Sequence, residues 1–199
     1  MHKPGKAHWS AVQKLLKYLK STKDSVLTLG GLPEEGQPLF RAYSDADFAN
    51  SPDHAKSITG YALFLGRGCF SWASKKQGAT ADSTRSAEYF AGHAASKEII
   101  WFRQLTDQLG FNLTAEPTTL YTDSNSAIAN INSMAINSTN KHIKVSYHWI
   151  REQVKLGHIK TEWVPSKENI ADVFTKGLPG PQHRHLVDKL GLINLAAAR

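Results

Sequence analysis

Four acidic residues stand at positions where their carboxylates could meet. Asp123 follows a short predicted strand over Thr118–Thr122, and the carboxyl end of a strand is where α/β sheets place their ligands. Asp45 lies within an earlier predicted strand, whereas Glu88 and Asp172 lie in the predicted first turns of two helices. Each position alone has a simpler explanation, because Asp and Glu are favoured in turns and near helix N-termini. The set of four is therefore more informative than any one member.

Taken together, the four carboxylates predict a site for hard cations. Carboxylates that are brought close repel one another unless they share protons or cations. Oxygen ligands without a histidine or cysteine partner favour Mg²⁺ or Mn²⁺ over zinc. Two such ions, about 3.5–4 Å apart, can activate a water and stabilise the leaving oxygen in phosphodiester cleavage.

The predicted elements that would bring these acids together form one mixed sheet. Five strands are predicted, at 39–47, 57–65, 69–74, 118–122 and 158–164. Five helices are predicted between and after them, at 83–109, 126–131, 142–156, 169–176 and 181–190. Since the links between the first three strands are short, these strands should pair antiparallel. The order predicts an α/β fold, with a mixed five-stranded sheet and helices packed on it.

Residues 1–35 are predicted to lie outside this sheet. They contain an amphipathic basic helix over 7–21 and a short strand over 25–29, and a turn-rich linker follows. Because a segment of this size is too small for a stable core, we expect it to be the end of a preceding domain. The main domain is then 36–194, and 195–199 is expected to be a tail left by cloning.

Composition limits the classes of partner. The chain has 199 residues, one cysteine and a formal net charge of +7. The basic excess favours a polyanion such as nucleic acid, although an ordinary basic surface is the alternative. No apolar run approaches the roughly 20 residues of a membrane span, so no membrane partner is expected. A single cysteine, Cys69, fits a reducing compartment.

Seven short motifs resemble those of one known family. They read YSDADFA at 43–49, SITGY at 57–61, SWASKKQ at 71–77, STRSAEY at 83–89, YTDS at 121–124, KHI at 141–143 and NIADVFTK at 169–176. In type and order they are similar to the ribonuclease H domain of Copia-type (Pseudoviridae) LTR retrotransposon Pol polyproteins, over roughly residues 40–190. The resemblance implies a ribonuclease H-like fold. It also implies that residues 1–35 are the C-terminal remnant of the reverse transcriptase connection region.

The resemblance implies a role for each acid. Asp45 would bridge two Mg²⁺ ions, for which Mn²⁺ would substitute. Glu88 and Asp123 would hold the ion on the leaving-group side, and Asp172 would help to hold the ion that carries the nucleophilic water. The implied reaction is endonucleolytic hydrolysis of the RNA strand of an RNA/DNA hybrid, leaving 5′-phosphate and 3′-hydroxyl ends. Asp47, on the same strand face as Asp45, is the rival for the bridging position.

Further residues are expected around this centre. His142 would aid product release, as a mobile histidine does in some ribonucleases H; a solvated cap-region or substrate-contacting histidine is the alternative. The residues expected to hold the hybrid are Ser74, Lys75, Lys76, Gln77, Arg85, Lys141 and Lys144. Such contacts recognise backbone shape and the 2′-hydroxyl rather than base sequence. Four tryptophans are expected to lie in the core, with platforms for base stacking as the alternative: Trp72, Trp101, Trp149 and Trp163.

The implied partners are an RNA/DNA hybrid and the polymerase and connection domains of the parent polyprotein. The implied location is the cytoplasm, in a virus-like particle, or the nucleus. Two alternatives stay open: a catalytically inactive, connection-like module that binds nucleic acid, and an integrase-like nuclease on the same sheet. Four retained carboxylates argue against the inactive module, since it has no reason to keep their mutual repulsion. The fourth acid, after the last strand, favours ribonuclease H over the integrase-like enzyme.

Overall fold

The structure is a computed structural model that describes residues 3–48, 56–78, 81, 83–111, 113, 115–132 and 141–195, without the side chains of 141–147. The described α-helices are α1 (Lys6–Ser21), α2 (Thr84–Gln108), α3 (Asn125–Asn132), α4 (Lys141–Lys155) and α5 (Gly180–Lys189). The described strands are β1 (Ser25–Leu27), β2 (Phe40–Asp47), β3 (Ile58–Leu65), β4 (Gly68–Lys76), β5 (Thr118–Thr122), β6 (Ile159–Trp163) and β7 (Leu192–Asn194). Two 3₁₀ helices, Ser166–Glu168 and Ile170–Phe174, precede α5.

Five strands form the main sheet in the order β4-β3-β2-β5-β6. Strands β2, β3 and β4 pair antiparallel, and β5 and β6 are added in parallel. The mixed five-stranded sheet predicted from the sequence is therefore confirmed. Its short links join the antiparallel strands, and the helices supply the longer crossovers that parallel neighbours need.

The pairing of β2 with β5 brings two acids to one edge of the sheet. The last pair in the register joins Tyr43 to Tyr121. Asp45 lies two residues beyond the first of these, and Asp123 lies two residues beyond the second. Because the strands are parallel, both carboxylates lie past the carboxyl end of the shared ladder, where α/β sheets place their ligands.

Side chains alternate between two buried layers. One face of the sheet, with Phe40, Ala42 and Leu63, packs against α2 through residues such as Ile99. The other face carries residues such as Tyr43, Ala62 and Phe64, and it packs against Ile170 of the second 3₁₀ helix and Leu186 of α5. Each fully buried large apolar side chain contributes about 1.5–3 kcal/mol. The two layers therefore fix both elements that carry the remaining acids.

Gly60 permits a close contact beside Asp45. It pairs with Asp45 in the β2–β3 register. A Cβ atom at Gly60 would lie 2.6 Å from Thr175 Cγ2 and 2.9 Å from the carbonyl oxygen of Ala171. Only the absence of a side chain lets the second 3₁₀ helix lie directly on β3.

Two local features differ from the prediction. The helix predicted over 169–176 is a 3₁₀ helix, Ile170–Phe174, in which the Thr175 amide donates to the carbonyl oxygen of Asp172 at 3.2 Å. The tighter winding holds this segment against the sheet. Strand β7 was not predicted, because three residues give no periodic signal; it pairs antiparallel with β1.

Several large apolar side chains are more exposed than predicted. Trp72, Trp101 and Trp163 have exposed fractions of 53%, 56% and 52%, so their prediction as core residues was wrong. Trp149 is half-buried and packs against the cluster that contains Tyr89. None of the described helices combines the length and the apolar character needed to cross a bilayer.

Candidate active site

Three of the four predicted acids meet at the edge of the sheet. Within the described residues, Asp45, Asp123 and Asp172 each place one carboxylate oxygen so that the three oxygens lie within 4.8 Å of one another. Asp45 and Asp172 are buried and Asp123 is half-buried. They come from β2, from the end of β5 and from the second 3₁₀ helix. We call these three residues the carboxylate group.

Glu88 lies beside this group. It is one turn into α2 rather than in the first turn, and its side chain is buried. Burial, together with the nearby charges of Asp45 and Asp123, raises the pKa of Glu88 to about 9. Glu88 Oε2 has no hydrogen-bond partner among the described residues. A buried carboxyl oxygen without a partner requires an explanation, and a bound cation would supply one.

The carboxylate group resists full ionisation. Burial, together with the nearby charge of Asp45, raises the pKa of Asp172 to about 7. Burial also raises the pKa of Asp45, although the Thr175 hydroxyl and the charge of Lys176 oppose the rise. The group therefore favours a bound proton or a bound cation, as closely spaced carboxylates must.

Two residues that sequence reasoning did not single out touch these carboxylates. The Lys176 ammonium group lies 3.0 Å from Asp172 Oδ1 and 3.6 Å from Asp45 Oδ2. The Thr175 hydroxyl donates a hydrogen bond to Asp45 Oδ2. The spacing of four residues between Asp172 and Lys176 is a sequence signal that would have indicated the ion pair.

A third such residue, Asn169, links the parts of the site. It is fully buried, and its side-chain amide donates to the Ser44 carbonyl oxygen at 3.1 Å and, more weakly, to Asp123 Oδ1 at 3.5 Å. Its side-chain oxygen accepts from the Ala171 amide at 3.3 Å, which caps the second 3₁₀ helix. One side chain thus holds β2, Asp123 and the segment with Asp172 together.

The rival acid lies further along the strand. Asp47 is the last residue of β2, is half-buried and pairs with Ile58. The metal-ligand group found among the described residues contains Asp45 and does not contain Asp47. Of the two acids, Asp45 is therefore the one that lies with Asp123 and Asp172.

The residues predicted to hold nucleic acid fall into three sets. Ser74, Lys75 and Lys76 are exposed on the edge strand β4, and Arg85 is exposed at the start of α2. Ser74 pairs with Gly60, and Gly60 pairs with Asp45, so Ser74 lies two strands from that acid on the same face. The side chains of Lys141, His142 and Lys144 lie outside the described residues.

Gln77 requires a correction. It is buried, and its side-chain amide donates to Thr59 Oγ1 at 2.9 Å and to the Ala87 carbonyl oxygen at 3.0 Å. A nucleic-acid contact needs an accessible donor, and the Gln77 donor is used inside the protein. We therefore remove Gln77 from the predicted interface.

The chemistry of the donors fits a hard divalent cation. The group consists of carboxylates alone, with no histidine or cysteine among its described members. Carboxylate oxygens are the ligands that Mg²⁺ and Mn²⁺ prefer. The buried carboxyl group of Glu88, which interacts electrostatically with Asp45 and Asp123, is a further oxygen donor of the same kind. The residues present are consequently suited to Mg²⁺ or Mn²⁺.

Two plant polyproteins are similar to the chain in sequence. The chain is 40% identical over 179 residues to the "Retrovirus-related Pol polyprotein from transposon TNT 1-94" of Nicotiana tabacum, which covers 90% of this chain. It is 35% identical over 196 residues, or 98% of this chain, to the corresponding polyprotein from transposon RE2 of Arabidopsis thaliana. The chain spans 13% of the length of each of these curated relatives. No family model matches the chain.

Solved structures share the fold. LC11-RNase H1, isolated from compost by a metagenomic approach, superposes with a TM-score of 0.51 at 14% identity, covering 77% of this chain and 98% of that chain. The same protein in complex with an RNA/DNA hybrid gives a TM-score of 0.50 at 15% identity, covering 68% of this chain and 93% of that chain. At this level of identity the likeness concerns the fold alone, which is that of ribonuclease H.

Proposed function

This chain belongs to the Copia-type retrotransposon Pol polyproteins, and we propose that it is their ribonuclease H segment. In this proposal it is an endoribonuclease that hydrolyses the RNA strand of an RNA/DNA hybrid, with 5′-phosphate and 3′-hydroxyl products. The observation that carries the proposal is the meeting of Asp45, Asp123 and Asp172 within 4.8 Å, beside Glu88.

Asp45, Glu88, Asp123 and Asp172 are the residues that would hold two Mg²⁺ ions, or Mn²⁺ in their place. When bound, such ions supply activation of the attacking water and stabilisation of the leaving oxygen. Hydrogen bonds within the chain orient the carboxylates that would bind the ions. Thr175 orients Asp45 through its hydroxyl, and Asn169 connects Asp123 to β2. Hydrogen bonds of this kind to metal ligands tune both affinity and geometry.

The proposed substrate contacts are exposed basic or polar groups. Ser74, Lys75 and Lys76 are exposed on β4, and Arg85 is exposed at the start of α2. LC11-RNase H1, which shares the fold, has been solved with an RNA/DNA hybrid. We propose that these four residues contact the sugar–phosphate backbone of a hybrid, which would make its binding weaken steeply as salt increases.

The proposed setting is the parent polyprotein. Polymerase and connection domains would be its partners, because the similar plant polyproteins are several times longer than this chain. The cytoplasm, in a virus-like particle, or the nucleus would be the place of action, since the nucleic-acid substrate would be made there.

Cleavage of a hybrid with a labelled RNA strand tests the proposal. The chain is incubated with Mg²⁺ and compared with Asp123→Asn and with Asp188→Asn, which changes an exposed aspartate of α5. We expect the RNA strand to be cut by the unchanged chain and by Asp188→Asn, and to stay intact with Asp123→Asn. Hybrid binding, measured in parallel by fluorescence anisotropy, should be retained by all three.

Two outcomes would contradict the proposal. Binding of the hybrid without cleavage by the unchanged chain would identify an inactive nucleic-acid-binding module. Cleavage of plain duplex DNA, with the hybrid left intact, would identify a nuclease of the integrase-like type.

A further inference from the structure

We propose that Lys176 is an internal counter-cation of the carboxylate group, and that a divalent ion must displace its ammonium group in order to bind. This inference rests on the proposed function, because it concerns the same carboxylates. Its basis is that Lys176 Nζ lies 3.0 Å from Asp172 Oδ1 and 3.6 Å from Asp45 Oδ2. These two residues are also members of the group that could hold a metal.

The backbone brings Lys176 to this position. The amides of Thr175 and Lys176 both donate to the carbonyl oxygen of Asp172 at 3.2 Å. The Thr175 hydroxyl donates to Asp45 Oδ2, and the same Asp172 carbonyl oxygen lies 3.2 Å from this hydroxyl as a second, competing acceptor. The turn that carries Asp172 therefore also aims the lysine that follows it.

The Lys176 side chain is more exposed to solvent than the two carboxylates that it contacts. About a third of it, 36%, is exposed, whereas the side chains of its two partners are 2% and 6% exposed. A lysine stem has several rotatable bonds, and its ammonium group is strongly hydrated once it reaches water. Displacement of the ammonium group would therefore require only a change of side-chain rotamer.

An ammonium group and a divalent ion compete for the same oxygens. Lys176 interacts with Asp45 Oδ2 and Asp172 Oδ1, and a hard cation would bind through oxygens of the same two carboxylates. The two cations would also repel each other at such a separation. Lys176 should therefore lower the apparent affinity for the metal while it reduces carboxylate repulsion in the metal-free chain.

Magnesium binding to three forms of the chain tests this inference. Isothermal titration calorimetry compares the unchanged chain with Lys176→Gln and with a control, Lys160→Gln. Lys160 pairs with Glu162 at 2.7 Å on the surface, where both side chains are well exposed. We expect Lys176→Gln to bind Mg²⁺ about tenfold more tightly than the unchanged chain, and Lys160→Gln to bind with unchanged affinity. Equal or weaker binding by a folded Lys176→Gln would overturn the inference.

A measurement on the unchanged chain does not depend on the stability of any variant. Lysine acetylation with a limiting amine-reactive reagent, read by mass spectrometry, reports how accessible each ammonium group is. Saturating Mg²⁺ should raise modification of Lys176 several-fold and leave modification of Lys160 unchanged. Unchanged or reduced modification of Lys176 in saturating Mg²⁺ would overturn the inference.

Failure of the inference differs from failure of the proposed function. If the unchanged chain binds Mg²⁺ and cuts the hybrid while Lys176→Gln binds no more tightly, only the role of Lys176 is wrong. If the unchanged chain neither binds Mg²⁺ nor cuts the hybrid, both proposals are wrong.

Discussion

Two regions of this molecule pair a lysine with a carboxylate, with opposite results. At the edge of the sheet, Lys176 lies beside Asp172, and burial nevertheless raises the pKa of Asp172 to about 7. On the surface, Lys189 forms an ion pair with Glu168, and its hydrogen bond lowers the pKa of Glu168. His185 Nε2 joins this surface pair at 3.1 Å from Glu168 Oε2.

The difference shows that burial and neighbouring negative charges affect the pKa of a carboxylate more strongly than one nearby lysine does. Asp172 is almost fully enclosed and shares its surroundings with Asp45 and Asp123, whereas Glu168 faces solvent and has two basic partners. The charge of Glu168 is balanced by Lys189 and His185, so it does not need a bound cation. The carboxylate group still favours protons or cations, and this is the electrostatic condition that a metal site requires.

The largest expected effect comes from removing a charge from the carboxylate group. Asp45→Asn should lower the rate of hybrid cleavage on the order of a thousandfold, because a metal ligand and its charge are lost. The same change should raise the free energy of unfolding in EDTA, since one source of carboxylate repulsion is removed. Cleavage assays and urea unfolding check the two effects.

Glu168→Gln is the matched control for Asp45→Asn. It removes a carboxylate from the surface pair, so cleavage should be unchanged and stability should fall slightly. If Asp45→Asn still cleaves the hybrid at the normal rate, the carboxylate group is no more important for cleavage than the surface pair.

A second effect comes from the contact that holds the second 3₁₀ helix on the sheet. Gly60→Ala should lower the free energy of unfolding by about 1–3 kcal/mol, as overpacking does, because its Cβ would lie 2.6 Å from Thr175 Cγ2. Gly60→Ala should also weaken Mg²⁺ binding, because the segment that carries Asp172 would be pushed away from Asp45. Gly177→Ala, with no atom within 4 Å of the added Cβ, should change neither property. Urea unfolding measures the stability and calorimetry measures the Mg²⁺ affinity. If Gly60→Ala changes neither, the close contact is not needed for either property.

The pH dependence of stability gives a third effect with a defined sign. The folded chain raises the pKa of Glu88 from 4.5 to about 9. Between these values the folded state binds more protons than the unfolded state, so stability in EDTA should fall as pH rises from 5 to 9. The slope should approach roughly 1 kcal/mol per pH unit. Urea unfolding at several pH values checks it.

Glu88→Gln sharpens this test. It removes the titrating group without changing the shape of the side chain, so the slope should become flatter. A slope that is identical in the variant would assign the pH dependence to other groups.

The smallest expected effect is on the surface. Lys189→Gln should lower the free energy of unfolding by less than about 1 kcal/mol, because exposed ion pairs are screened and contribute little.

The pH dependence of this contribution has the opposite sign to that of Glu88. Since the pKa of Glu168 is lowered, its contribution is present above its ordinary pKa and is lost as pH falls. Unfolding of the two chains at pH 3 and pH 7 measures the difference.

Much of the scaffold could be predicted because its signals are local. The predicted strand 118–122 is found as β5, Thr118–Thr122, and the predicted helix 83–109 as α2, Thr84–Gln108. Alternation in β2 and helical spacing in α2 are visible within each segment. The close contact of the 3₁₀ helix Ile170–Phe174 with Gly60 was not predictable in the same way, since it joins residues that are far apart in the chain.

The sequence alone determined the sheet, the family and the four acids that could converge, since short-range periodicity and ordered motifs carry that information. Only the tertiary structure decided which atoms meet. It brought Asp45, Asp123 and Asp172 within 4.8 Å, enclosed Gln77 and placed Lys176 against two of the three acids. The physical reason is that burial and charge proximity depend on residues far apart in the chain. No local pattern of residue types records their mutual distance.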